Sequence, residues 1–208
     1  MGRDSQPSPA VNPPQGGGFA GRTITLGVTG GVAAYKTVGL ASLWTQRGAR
    51  VRVLMTPAAT RFVTPLTFQS VTRQPVLTDI WHAIDTRDQR PDHIEGEEAA
   101  VFVVAPATAD FLARAAHGFA NDIVCLSLLA FVGPVVIAPA MNDRMWANVA
   151  VQENVETLAR RGVEIVPPGH GHLACGAVGA GRLAPEVDID RRVSLQLGEA
   201  PPPRPASD

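Results

Sequence analysis

The most constraining feature of this sequence is a regular alternation of short, β-branched apolar runs with longer segments of helical periodicity. Five runs read as strands, at residues 23–28, 50–55, 101–105, 134–138 and 163–166. Helical patterns occupy residues 32–47, 67–72, 109–117, 123–131 and 150–161. The strand runs are almost continuously apolar, as expected where helices cover both faces of a sheet. This order predicts an α/β fold with a doubly wound parallel sheet in a single domain.

Composition argues against a nucleic-acid-binding protein and against a membrane-spanning one. The chain has 208 residues, of which 45% are hydrophobic, and a net charge of -1 at pH 7. No Lys/Arg block marks a nucleic-acid surface, and no window reaches the ~18 apolar residues of a membrane span. The N-terminus has no apolar signal core, so we expect a cytoplasmic protein. Pro- and Gly-rich ends predict disordered tails at residues 1–21 and 198–208, around a folded domain at residues 22–197.

The loops after the strands are the candidate ligand site, because doubly wound sheets bind ligands beyond the carboxyl ends of their strands. The first loop, TGGVAAYK, puts Gly30 and Gly31 where backbone N–H groups can approach an anion. The alternative is a tight turn that needs glycine for its geometry. In the second loop, Thr56 offers a hydroxyl and Phe62 an aromatic face. A helix N-cap and a core aromatic are the alternative, and the one favoured from this stretch alone.

The third and fourth loops differ in how strongly they indicate a ligand-binding site. APATAD leaves room for a flat ring against the backbone, although Thr108 is also a normal cap for the following helix. APAMNDRMW concentrates Met, Trp and Asn at the end of a strand. Met and Trp side chains there could wall an apolar pocket with Asn142 as its polar anchor, and core packing is the alternative.

Histidines and cysteines supply the remaining candidates. His93 stands among acidic neighbours in PDHIEGEEAA, either as a base or as a solvated loop residue. His170, His172 and Cys175 offer at most three metal ligands on a flexible loop, so we predict no metal site. Cys125 lies in an apolar helical pattern and is predicted to be a packed core thiol.

Five of these segments, in order, resemble the homo-oligomeric flavin-containing cysteine decarboxylases over about residues 23–189. APAMNDRMW matches the family's P-x-M-N-x-x-M-W motif, and TGGVAAYK matches its T-G-[GS]-[IV]-A-A-[YI]-K turn. DHI carries the family's active-site histidine and LACG the cysteine of its coenzyme A branch. PATADF stands where the family has P-[AL]-[ST]-A-N-T, with Asp110 for the family's Asn and Phe111 for its Thr. The change to Asp110 adds a negative charge beside the expected flavin.

The resemblance implies a flavodoxin-like fold, FMN as cofactor, and assembly into homotrimers or homododecamers. The implied reaction is decarboxylation of 4′-phosphopantothenoylcysteine to 4′-phosphopantetheine in coenzyme A biosynthesis, by a free-standing enzyme. By the same resemblance, His93 is the base and Cys175 the proton donor, and the substrate contacts Asn142, His172, Leu173 and Ala174. The implied FMN contacts are Gly30, Gly31, Val32, Thr56, Phe62, Thr108, Ala109, Asp110, Phe111 and Ala140.

The glycine-rich surroundings of Cys175 fit this chemistry. An N-acylated cysteine loses CO2 only after its thiol is oxidised to a thioaldehyde, and the enethiolate product then needs a proton. A thiol on a mobile segment can close over the substrate and deliver it. Three alternatives stay open: a peptide-cysteine decarboxylase of lantibiotic type, a flavin prenyltransferase, and a non-catalytic regulatory paralogue.

Overall fold

The fold is a six-stranded parallel sheet with helices on both faces, in a computed structural model that describes residues 18–81, 99–172, 176 and 178–199. The sheet runs in the order β3-β2-β1-β4-β5-β6, and every neighbouring pair is parallel. This confirms the predicted doubly wound, flavodoxin-like α/β fold. Its strands are β1 (Thr23–Val28), β2 (Arg50–Met55), β3 (Val76–Leu77), β4 (Val101–Ala107), β5 (Val135–Pro139) and β6 (Glu164–Ile165).

Helices cover the two faces of the sheet with separate apolar clusters. The cluster on one face contains Trp44, Phe68 and Ile189, and the cluster on the other contains Phe111 and Leu158. Because both faces are covered, the central strands can be apolar along their whole length. The described helices are α1 (Thr37–Gln46), α2 (Pro65–Thr72), α3 (Ala109–His117), α4 (Ile123–Ala130), α5 (Asp143–Trp146), α6 (Val149–Arg160) and α7 (Glu186–Gln196). Short 3-10 turns occupy Val32–Lys36 and Ala59–Arg61.

Four elements after β5 and one short edge strand were not predicted from the sequence. They are β3, α5, α7 and an antiparallel hairpin of β7 (Gly169–His172) and β8 (Val178–Arg182). The hairpin strands consist largely of Gly and His or Gly and Ala, so they lack the β-branched alternation that marks a strand. α7 is rich in charged residues and has weak apolar periodicity. Tertiary pairing, rather than local propensity, stabilises these elements.

The folded domain extends into both segments that were predicted to be tails. Phe19, assigned to the N-terminal tail, is fully buried, and the Arg47 guanidinium lies 3.7 Å from its ring centroid. Arg47 also pairs with Asp190 at 2.8 Å and with Glu199 at 2.5 Å. Glu199 was assigned to the C-terminal tail. The described ends of the domain are therefore joined through α1, and the rest of both tails lies outside the described residues.

None of the described helices combines the length and apolarity that crossing a bilayer requires.

Candidate active site

The site lies where the chain order of the sheet reverses, between β1 and β4. The connection after β1 leads outward to β2, and the connection after β4 leads to β5 on the opposite side. The loops that follow β1 and β4 therefore diverge and leave a crevice at the carboxyl edge of the sheet. The loop after β5 borders the same edge, because Ala140 N donates to Ala107 O at 3.0 Å.

Thr29 joins the first two of these loops. Its Oγ1 donates to Pro106 O at 2.7 Å and accepts from Thr108 N at 3.0 Å. Its own N–H donates to Pro106 O at 3.3 Å, and the residue is only 1% exposed. Water cannot replace these bonds at a buried site, so Thr29 fixes the floor of the crevice.

Gly30 and Gly31 keep the crevice open in two different ways. A Cβ on Gly30 would collide with the Ala58 side chain from the loop after β2, so this position admits only glycine without a shift. A Cβ on Gly31 would stand 3.7 Å from Thr108 and 3.8 Å from Pro106, which is ordinary contact. The missing side chain at Gly31 leaves that space for a ligand close to the backbone.

One cavity of about 660 Å³ occupies the crevice. That volume is typical of sites for drug-sized ligands and cofactors. Of the residues predicted to bind FMN or substrate, seven line it: Gly30, Gly31, Val32, Thr108, Ala109, Ala140 and Asn142. The other lining residues are Ala33, Tyr35, Lys36, Met141, Met145, Gly181, Arg182 and Leu183.

The β7–β8 hairpin forms one wall of the cavity by packing against the loop after β5. Met141 N donates to Gly181 O at 2.9 Å. Gly181 has φ +143°, and a Cβ there would collide with the Met141 carbonyl oxygen. A Cβ on Gly179 would come within 2.8 Å of the Asp143 Cβ. The glycines of this segment therefore permit a close backbone approach here, in addition to any freedom they give the neighbouring residues.

Asn142 sits at the N-cap of α5, inside the cavity. Its Oδ1 accepts from Arg144 N at 2.9 Å, which orients the side-chain amide. Because the oxygen is used as a cap acceptor, Nδ2 is the donor end of the amide. Met141 and Met145 line the cavity beside it, as the pocket interpretation of APAMNDRMW predicted. Trp146 packs instead against the core cluster of the face that contains Phe111.

Four residues predicted to contact FMN do not line this cavity, namely Thr56, Phe62, Asp110 and Phe111. Thr56 is buried and its Oγ1 accepts from Ala59 N at 3.2 Å, while Phe62 is 52% exposed. Phe111 is buried in the core, and its N–H donates to Thr108 Oγ1 at 3.2 Å. Thr108 thus caps α3 and also lines the cavity.

Asp110 presents its carboxylate to solvent rather than to the cavity. Its Oδ2 lies 2.9 Å from Arg114 Nε, one helical turn along α3. The side-chain hydrogen bond with Asp110 raises the pKa of Arg114. The negative charge that replaces the family's Asn is therefore matched by a cation on its own helix.

The predicted catalytic pair lies outside the described residues. This holds for His93 and for Leu173, Ala174 and Cys175, which stand in the chain between β7 and β8. The backbone of His172 is described as the last residue of β7, paired with Val178. The roles of these residues remain predictions.

The other cysteine is unsuited to catalysis. Cys125 is buried in the first turn of α4, which confirms the core interpretation. Burial and, to a smaller extent, the nearby Asp122 carboxylate together raise the pKa of its thiol to about 12. Within the described ranges, no group of three or more His, Cys, Asp or Glu residues could hold a metal ion.

Sequence reasoning missed Thr29, Tyr35, Lys36 and Arg182 as contributors to the site. Thr29, Tyr35 and Lys36 belong to the quoted TGGVAAYK motif. A helical turn placed directly after a strand would have put Tyr35 and Lys36 near the crevice. No local signal identifies Arg182, because the hairpin that carries it is itself invisible in the sequence pattern.

Comparison with known proteins matches this architecture and these motifs. The model of the family described as Flavoprotein matches residues 18–196. The chain is 46% identical over 172 residues to the coenzyme A biosynthesis bifunctional protein CoaBC of Escherichia coli strain K12, covering 82% of this chain and 42% of that protein. The corresponding protein of Bacillus subtilis strain 168 is 44% identical over 182 residues, covering 86% of this chain and 44% of that protein. The chain thus spans less than half the length of these relatives.

Solved structures extend the match to three dimensions. SpaF, described as an FMN-dependent cysteine decarboxylase, superposes with a TM-score of 0.74 at 32% identity, covering 86% of this chain and 97% of that chain. A mutant PPC decarboxylase complexed with pantothenoylaminoethenethiol superposes with a TM-score of 0.75 at 29% identity, covering 84% of this chain and 97% of that chain. With its sheet order and its motifs, these matches show that the chain belongs to the flavoprotein family, among the flavin-dependent cysteine decarboxylases.

Proposed function

We propose that this protein is an FMN-dependent phosphopantothenoylcysteine decarboxylase, which converts 4′-phosphopantothenoylcysteine to 4′-phosphopantetheine. The observation that carries the proposal is the cavity at the sheet's carboxyl edge. It gathers the glycine turn after β1, the Thr108 turn after β4 and Asn142 after β5. The curated relatives are coenzyme A biosynthesis proteins, and one structural neighbour holds pantothenoylaminoethenethiol.

The cavity fits FMN in size and in lining. Its volume of about 660 Å³ accommodates a planar cofactor, and the missing side chain at Gly31 lets a ring approach the backbone. Apolar side chains of Val32 and Met145 border it together with the polar Thr108. FMN supplies the oxidation of the substrate thiol that makes loss of CO2 possible.

The protein's own groups bind and orient the substrate. Asn142, held by its cap bond to Arg144, would donate its amide to the substrate carboxylate. A neutral amide orients this anion without the strong stabilisation of an ion pair, which would oppose decarboxylation. The hairpin wall at Gly181 excludes water from one side. His93 would take the thiol proton and Cys175 would return a proton to the enethiolate.

The decisive experiment compares wild type with Cys175→Ser under anaerobic conditions. Purified wild type should show flavin absorbance bands and convert phosphopantothenoylcysteine fully to phosphopantetheine. The serine variant should release CO2 once per flavin and leave a product lighter by two hydrogen atoms, because a serine hydroxyl is far less acidic than a thiol with a pKa of ~8.5. Mass spectrometry identifies the product. A colourless wild type that neither binds FMN nor releases CO2 contradicts the proposal.

A second candidate function is decarboxylation of a peptide cysteine. The similarity to SpaF, a cysteine decarboxylase, favours it. The same assay with a peptide that carries a cysteine carboxylate separates the two candidates. Turnover of the peptide in preference to phosphopantothenoylcysteine would select the peptide reaction.

We also propose a cytoplasmic protein that assembles as a homotrimer or a homododecamer. Three cavity residues, Val32, Tyr35 and Met145, are each about half exposed or more, so the rim of the cavity is apolar. Such a rim is suited to a second copy of the chain completing the site. Sedimentation equilibrium should give the mass of three or twelve chains, and a monomeric holoprotein would contradict the assembly.

A further inference from the structure

The β7–β8 hairpin has a bare patch of backbone at two paired glycines, Gly171 and Gly179. These residues stand directly opposite each other in the antiparallel register. Side chains at opposite positions of such a pair point to the same face, with Cβ atoms about 4.5–5.5 Å apart. Because both residues are glycine, side chains from elsewhere can lie directly on the backbone at this place.

Arg182 lies over the first of these glycines. It is the last residue of β8, and its side chain reaches across to the neighbouring strand. A Cβ on Gly171 would stand 3.5 Å from Arg182 Nη1 and 3.8 Å from its Cδ. The guanidinium therefore rests on the backbone of β7. Gly171 also has φ +152°, so any other residue would strain the backbone at this position.

Asp143 lies over the second glycine. It is the first residue of α5 and directly follows Asn142. A Cβ on Gly179 would come within 2.8 Å of the Asp143 Cβ and 3.1 Å of its Oδ2. The start of α5 thus approaches the hairpin through the Asp143 side chain as well as through the backbone contact at Gly181.

The side chains over this glycine pair carry opposite charges. Within the part of the chain that the structure describes, the ion pairs involve Arg47, Arg114 and Arg192, so Asp143 and Arg182 share the face without direct contact. Arg182 is also within electrostatic range of a second cation. Burial lowers the pKa of Lys36, and the positive charge of Arg182 lowers it further. Repulsion from that cation and attraction to the carboxylate both favour the guanidinium on the Asp143 side.

We propose that Asp143 and Arg182 are positioning residues of the active site. Their attraction across the Gly171–Gly179 pair holds the hairpin wall on the loop that carries Asn142. The backbone bond from Met141 N to Gly181 O fixes one end of this contact. The charge pair stabilises it two residues further along β8, next to the chain that connects the two hairpin strands.

The consequence for catalysis rests on the proposed function. The chain between β7 and β8 contains Cys175, the predicted proton donor. If the hairpin separates from α5, this chain is displaced from a substrate that Asn142 holds. The enethiolate should then escape before it is protonated and reduced. The composition of the product therefore reports the position of the hairpin more directly than the rate of CO2 release does.

The first test is amide hydrogen exchange of β7 and β8 in the full-length protein, measured by mass spectrometry. Asp143→Asn and Arg182→Gln should each accelerate exchange about two- to fivefold, the range expected when an opening equilibrium loses one solvent-exposed ion pair. The double variant should match the single variants, because removal of one partner already removes the attraction. Arg160→Gln is the matched control: Arg160 is exposed on α6 and does not line the cavity, so hairpin exchange should be unchanged.

Salt supplies a version of this test that needs no substitution. At 1 M salt the screening length falls to about 3 Å. Exchange of β7 and β8 in wild type should then rise to the rate of the Asp143→Asn variant, which itself should depend little on salt. Additive effects of the two substitutions, or a wild-type exchange rate that does not respond to salt, would overturn the pairing.

The second test identifies the products formed anaerobically from phosphopantothenoylcysteine. Where wild type converts the substrate fully to phosphopantetheine, Asp143→Asn and Arg182→Gln should release a measurable share of the product that is lighter by two hydrogen atoms. Arg160→Gln should not. Faster hairpin exchange with an unaltered product in an active enzyme would refute the positioning role. A wild type without decarboxylase activity would refute the proposed function, and the exchange measurement would still decide whether the charges hold the hairpin.

Discussion

Replacing Thr29 by valine should loosen the floor of the active site while preserving its shape. Valine has nearly the volume of threonine but lacks the hydroxyl. The hydroxyl donates to Pro106 O at 2.7 Å and accepts from Thr108 N at 3.0 Å. The Pro106 carbonyl would keep its longer bond from Thr29 N at 3.3 Å. The Thr108 N–H would lose its acceptor.

The expected cost follows from these two bonds. A lost hydrogen bond costs about 0.5–1.5 kcal/mol, and a buried donor left unsatisfied costs about 1–3 kcal/mol. Thr108 is only partly buried and lines the cavity, so its N–H has some access to water and the lower ends apply. We therefore expect Thr29→Val to lower the free energy of unfolding by about 1.5 kcal/mol and to weaken FMN binding.

The assay is urea unfolding of the FMN-free chain at one fixed protein concentration, followed by titration of FMN fluorescence. Thr29→Ser is the matched control, because serine keeps both hydrogen bonds and loses one buried methyl group, which costs about 0.8 kcal/mol. It should keep its FMN affinity. The reasoning is refuted if valine is no more destabilising than serine, or if both variants bind FMN like wild type.

Three further variants test other parts of the site and core. Asp110→Asn should leave FMN affinity unchanged in a fluorescence titration, because Arg114 already matches the charge; tighter binding would mean that the carboxylate faces the flavin. Gly181→Ala should reduce kcat/KM at least tenfold, the loss expected if the hairpin shifts from Met141 at a cost of more than about 1.4 kcal/mol; unaltered kinetics would remove the hairpin from the site. Since the raised pKa of Cys125 favours the folded state only while the thiol is protonated, the unfolding free energy of wild type should fall between pH 9 and about 12, and Cys125→Ala should lack this fall. Parallel pH profiles of the two proteins would contradict that assignment.

Much of the fold was determined by local sequence pattern. The apolar runs at residues 23–28 and 50–55 became β1 and β2 without change of bounds, and the pattern at residues 109–117 became α3. These segments carry their own signal, because a strand buried on both faces must be apolar throughout and an amphipathic helix must repeat about every 3.6 residues. The parallel sheet followed from the alternation of such segments.

The motifs likewise located part of the site from sequence. Gly31, Thr108 and Asn142 each follow a strand, and parallel strands end at one edge of the sheet. That rule was sufficient to predict that they lie close together, and they line one cavity. It could not decide which way a side chain points. Phe111 and Asp110 follow the same strand, yet one packs into the core and the other faces solvent.

Only the tertiary structure decided the wall that closes the cavity. The hairpin strands contain mostly small and polar residues, so nothing local predicts that they pair or that Gly181 packs against Met141. That contact depends on the absence of a Cβ at one position and on a carbonyl about forty residues earlier in the chain. The placement of Arg182 and Lys36 in one cavity arises in the same way. The sequence by itself determined the sheet and the loops at its edge. Long-range packing determined which charged side chains line the cavity between those loops, because contacts between distant residues leave no local pattern.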